Sequence, residues 1–83
     1  MSDQIATDVK SFILDEFLPG EDPAELTAET PLITGGILDS IATLKLVLFL
    51  EERWKVKLAA HETSPEHLDT IDRIARLVRS KQG

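Results

Sequence analysis

Among the side chains able to do chemistry, Ser40 stands apart: a hydroxyl preceded by Gly35-Gly36-Ile37-Leu38-Asp39 and followed by an apolar stretch. Asp39 and Ser40 are both good helix N-caps, because a short side-chain oxygen can accept a backbone amide of the first turn, and that role alone would account for the dipeptide. As a nucleophile, Ser40 would need an adjacent base. The candidate bases His61 and His67 lie in a different segment and form no recognisable triad arrangement. The chain has no cysteine, which excludes disulfides, thiolate metal sites and a thiol nucleophile, so sulfur chemistry would need an imported group. Two histidines without cysteine suit surface or capping roles better than a metal site, and no metal is expected. Asp15-Glu16 and Glu21-Asp22 read as solvated charge, since nothing places them in a pocket.

The elements that must position Ser40 follow from periodicity. Ile5, Val9, Phe12, Ile13 and Phe17 recur at steps of three and four, predicting a first helix over 3–17 with Ser2 or Asp3 as its cap. Pro19-Gly20 ends it. From Gly20 to Asp39 runs a segment without sustained periodicity, longer than the ~12–15 residues beyond which unstructured loops are uncommon. Its scattered apolar residues Leu26, Leu32, Ile33, Ile37 and Leu38 read as anchors that pin the loop onto a helical core. A second helix is predicted from the Asp39-Ser40 cap to Trp54, with Ile41, Leu44, Val47, Leu48 and Trp54 at helical spacing. On that reading Leu44, Val47 and Leu48 pack inward, while Lys45, Phe49, Glu52 and Arg53 share the remaining face and Phe49 sits among polar neighbours. Trp54 is expected to be buried. Ser64-Pro65-Glu66 resembles a cap and first turn, opening a very short helix to Leu68. Thr70 caps a last helix whose Ile71, Ile74, Ala75 and Val78 follow the i, i+3, i+4, i+7 template. The fold class is therefore all-α: a small bundle of three longer helices plus one short helix, with a long first loop.

Composition sets the outer limits. A chain of 83 residues, 42% hydrophobic and 29% charged, suits one modest core, so residues 1–83 are expected to form a single domain. The longest apolar run, Leu46 to Leu50, is far short of the ~20 residues a bilayer requires. Met1-Ser2-Asp3-Gln4 lacks the charged and apolar parts of a secretory signal, so a cytoplasmic location is expected. The net charge of −6 is segregated, −8 over residues 1–40 and +2 over residues 41–83. An acidic domain repels phosphate backbones, and no nucleic-acid partner is expected.

Thr30-Pro31-Leu32, then Gly36-Ile37-Leu38-Asp39-Ser40-Ile41, then Leu50-Glu51-Glu52 with Trp54, and finally Leu68-Asp69-Thr70-Ile71-Asp72-Arg73-Ile74 resemble, in order and spacing, the acyl carrier protein family. The resemblance includes the carrier domains of polyketide and nonribosomal peptide synthesis and covers nearly the whole chain. It implies that Ser40 accepts a 4'-phosphopantetheine group from coenzyme A through a separate phosphopantetheinyl transferase. The arm's thiol would then hold acyl or aminoacyl cargo as a thioester for loading and processing enzymes. Ser40 would be an attachment point, not a catalyst, and the protein no enzyme. Asp39 would serve transferase recognition or capping. The phosphodiester would sit at the positive end of the helix dipole. Docking of enzymes on helix two in this family nominates Leu38, Ile41, Lys45, Phe49 and Glu52 as partner contacts. The opening Ile41-Ala42-Thr43-Leu44-Lys45 lacks the acids typical of bacterial fatty-acid carriers, which points to a specialised free-standing carrier, a monomer, with a dedicated enzyme set. The alternative reading is a helical interaction module with no prosthetic group, using Phe49 and its neighbours to bind a partner helix.

Overall fold

A computed structural model of the chain describes residues 4–82. Its helices are α1 (Gln4–Phe17), α2 (Ser40–Trp54), α3 (Pro65–Leu68) and α4 (Ile71–Gln82). Single 3-10 turns at Pro23–Glu25 and Ala60–Thr63 punctuate the connections, and periodicity signals neither. The expected all-α bundle of three longer helices and one short one is what forms, with α1 packed most extensively on α4. The caps expected for the first helix, Ser2 and Asp3, lie outside the described residues. No helix among the described residues is long and apolar enough to cross a membrane.

Burial of apolar stripes holds the bundle together. Val9 and Ile13 of α1 meet Leu46 and Leu50 of α2, and Ile71, Ile74 and Val78 of α4, in one buried cluster. The template for the last helix is fully obeyed: Ile71, Ile74, Ala75 and Val78 are all buried, and the Thr70 hydroxyl accepts the Arg73 amide at 3.1 Å. Leu26, Leu32 and Leu38 anchor the long loop in the same core, with Ile33 and Ile37 packed against its edge. At α3 the expected cap is only half present. Ser64 occupies the N-cap position, but its hydroxyl donates backward to the His61 carbonyl at 3.2 Å.

Helix α2 is where the expected faces need correcting. Its buried residues are Ala42, Leu46, Val47 and Leu50, whereas Leu44 and Leu48, expected to pack inward, are 58% and 54% exposed. The helix is apolar on two sides, so spacing alone picks out two stripes, and only contact with α1 and α4 selects one. Phe49 is the converse case. It is half-buried, stacked on Phe12 with ring centroids 4.1 Å apart, and it meets Trp54 edge-on at 5.7 Å, so its neighbours are aromatic as well as polar. Trp54, expected to be buried, is partly buried at the core's rim, with the Arg53 guanidinium 5.5 Å from its ring.

Candidate functional site

Ser40 is the first residue of α2 and its side chain is exposed. Among the described residues its hydroxyl makes no hydrogen bond. Asp39 is the N-cap: its backbone is extended (φ −87°, ψ −172°) and its carboxylate accepts the Ala42 amide at 2.8 Å. The Asp39 carbonyl takes both the amide and the hydroxyl of Thr43, at 2.9 and 2.8 Å. Asp39 therefore closes the first turn, and the Ser40 hydroxyl takes no part in it.

The loop that delivers this pair is folded onto itself. The Leu32 carbonyl accepts the Ile37 amide at 2.9 Å and the Leu38 amide at 2.8 Å. Gly36 turns the chain at φ +83°. Gly35 lies so close to Pro31 that a Cβ would collide with the Pro31 carbonyl oxygen, so no side chain fits without movement of the backbone.

Asp69, at the junction of α3 and α4, pins this loop from outside. Its carboxylate accepts the amides of Ile33 and Thr34 and the Thr34 hydroxyl, each at 2.9 Å. Its carbonyl accepts the Leu32 amide at 2.6 Å. The Thr34 amide above all, then the Thr34 hydroxyl, the Ile33 amide and the nearby Arg73 charge, hold the Asp69 carboxyl below the ordinary aspartate value, with partial desolvation opposing them. Sequence reasoning matched Asp69 only as part of a motif and gave it no role; an acid just before a helix carries no mark of a partner 35 residues away.

Beside Ser40 lies an open groove of about 410 Å³, lined by Ile33, Leu38, Asp39, Ser40, Thr43, Thr63 and Pro65. The loop and α2 form one bank, and the start of α3 with the turn before it forms the other. No imidazole lines the groove: His61 and His67 meet edge-on outside it, ring centroids 6.5 Å apart. Among the described residues no group of three or more His, Cys, Asp or Glu side chains could hold a metal ion.

The residues expected as partner contacts separate. Leu38 is 3% exposed and packs into the core, because its amide is drawn inward to the Leu32 carbonyl, so its side chain is not a surface contact. Ile41 is exposed at 69% and continues along α2 into Leu44 and Leu48, forming an apolar stripe that starts beside Ser40. Lys45, Phe49 and Glu52 come together with Phe12 and Glu16 around a second open groove of about 510 Å³ between α1 and α2, away from Ser40. The signal that could have found the stripe was the excess of apolar residues on α2 over what one buried face needs.

No family model matches the chain. Among curated proteins it is similar to the lincomycin biosynthesis protein LmbN of Streptomyces lincolnensis, 38% identical over 66 residues, which are 80% of this chain and 24% of that protein. It is also similar to the probable acyl carrier protein PigG of Serratia sp. (strain ATCC 39006), 36% identical over 67 residues, 81% of this chain and 76% of that protein. The chain thus spans about a quarter of the first relative and three quarters of the second.

Proposed function

The chain belongs to the acyl carrier protein family, and from that premise we propose that residues 1–83 are a single carrier domain in which Ser40 receives 4'-phosphopantetheine from coenzyme A. The observation that carries this reading is an exposed, uncommitted hydroxyl at the first residue of α2, next to an open groove. When bound, the arm supplies the thiol on which acyl or aminoacyl cargo is held as a thioester, chemistry this cysteine-free chain lacks.

The residues present fit that group. The N-terminal end of α2 carries partial positive charge, which favours a phosphodiester on Ser40, and Asp39 is already engaged in capping. Ile33 and Pro65 offer apolar contact along the groove, and the hydroxyl oxygens of Thr43 and Thr63, whose hydrogens go to the Asp39 and Ala60 carbonyls, offer acceptors. No histidine stands beside Ser40 to activate it, which supports a tether over a catalytic nucleophile. Attachment forms a bond from Ser40 Oγ to phosphorus and breaks the coenzyme A pyrophosphate bond. Adenosine 3',5'-bisphosphate leaves, and the serine proton passes to a base of the transferase.

The exposed stripe Ile41, Leu44 and Leu48, with Lys45 and Glu52 at its edge, is the surface we assign to the loading and processing enzymes of a specialised biosynthetic pathway. The test is intact mass after incubation with coenzyme A, magnesium and a broad-specificity phosphopantetheinyl transferase. Wild type is expected to gain one phosphopantetheine and Ser40→Ala none. No gain by wild type, or a gain that survives Ser40→Ala, overturns the reading and leaves a helical interaction module.

A further inference from the structure

One residue, Asp69, ties the loop bank of the Ser40 groove to the α3–α4 junction through four hydrogen bonds. Asp69 makes hydrogen bonds to Leu32, Ile33 and Thr34, through its carbonyl and both carboxylate oxygens. It cannot drift, because Leu68 before it and Ile71 shortly after it are buried in the core, and its own amide donates to the Pro65 carbonyl at 3.0 Å. From Leu32 the connection continues: its carbonyl holds the Ile37 and Leu38 amides, Leu38 is buried, and the next two residues are the cap Asp39 and Ser40. Thus α3 and its junction with α4, which supply one bank through Pro65, are joined to the other bank by hydrogen bonds that run through Leu32 to Leu38, two residues before Ser40.

We propose that Asp69 is a positioning residue, which sets the place of Ser40 relative to α3 and thereby the presentation of the Ser40 hydroxyl to the enzymes that act on it. Its enzymatic readout rests on the carrier reading above; its structural readout does not. Removing the carboxylate frees the amides of Ile33 and Thr34, loosens the Leu32–Leu38 turn and lets Ser40 occupy a range of positions. Misplacing a reacting group by about an ångström is enough to slow transfer severalfold or more. Asparagine at 69 retains a carbonyl oxygen for the two amides and an NH₂ that donates to the Thr34 hydroxyl, so it is the conservative rescue.

The experiment uses the whole chain, ¹⁵N-labelled, as wild type, Asp69→Ala, Asp69→Asn and Thr34→Val. In Asp69→Ala the amide resonances of Ser40 and Ile41 are expected to move together with those of Ile33 and Thr34. Transferase loading should fall about tenfold in that variant, through kcat, whereas a mere loss of folded protein would raise the apparent KM. Asp69→Asn should stay within about twofold of wild type, and Thr34→Val, which removes one of the bonds, should fall between. An Asp69→Ala protein that is folded, keeps the wild-type Ser40 and Ile41 resonances and loads at the wild-type rate overturns the proposal. If Asp69→Ala does not fold, Thr34→Val decides on the same two readouts, and no change in either overturns it. Should wild type take up no arm at all, the carrier reading falls, while the resonances still judge Asp69.

Discussion

At Asp39, capping and recognition can be separated by substitution. Asp39→Ala removes the acceptor for the Ala42 amide and is expected to lower stability by about 1 kcal/mol, read as a shift in urea midpoint. Asp39→Asn keeps a good cap, so its midpoint should stay near wild type; a loss of transferase loading in that variant would assign the charge to recognition. The apolar stripe separates in the opposite way. Leu44→Asp lies on an exposed position and is expected to change stability by no more than about 0.5 kcal/mol, yet to weaken docking of any enzyme that uses α2. Leu38→Ala removes a buried side chain and should cost about 2–4 kcal/mol by the same denaturation measurement. A large stability loss in Leu44→Asp, or none in Leu38→Ala, would reverse the assignment of these two leucines.

Local backbone rules govern the elements. The second helix was legible at both ends, from the Asp39-Ser40 cap and from Trp54, because caps and length are local properties. Its inward face was not, since Ile41, Leu44 and Leu48 compete with Leu46 and Leu50 and only tertiary contact decides. The aromatic stack of Phe12 on Phe49 joins residues far apart in the chain and leaves no trace in spacing. Lys55, the C-cap of α2, adopts the left-handed conformation at φ 56° where glycine is usual. Lys55→Gly relieves roughly 1 kcal/mol of that strain but frees the unfolded chain, so a net gain below about 1 kcal/mol is expected in thermal or urea unfolding. Gly35→Ala should do the reverse. Its Cβ collides with the Pro31 carbonyl, and a measured midpoint at or above wild type would show that the Pro31–Gly35 turn yields easily.

For the molecule as a whole, the fold class and the start of α2 at Ser40 could be read from sequence, and the long-range ties could not. Two of those ties are carboxylates with values below the ordinary range: Asp69, held by Thr34, Ile33 and Arg73, and Glu62, held chiefly by its hydrogen bond to Lys81 and by the Ala59 amide. Because folding lowers both values, their contribution is complete above the ordinary carboxylate values of 3.8 and 4.5 and is lost as pH falls through the depressed folded ones. Stability measured by urea unfolding should therefore decline on the acid side, and Asp69→Asn should flatten part of that decline. The aromatic cluster of Phe12, Phe17, Phe49 and Trp54 has a different use. Trp54 is the only tryptophan, it leans edge-on against Phe49, and along a 15-residue helix it stands ~20 Å from Ser40. Its emission therefore reports on the packing of α1 against α2, where Phe49 stacks on Phe12. Because Trp54 stands a helix length from Ser40, the same emission can be followed before and after incubation with coenzyme A and a transferase, without a dye.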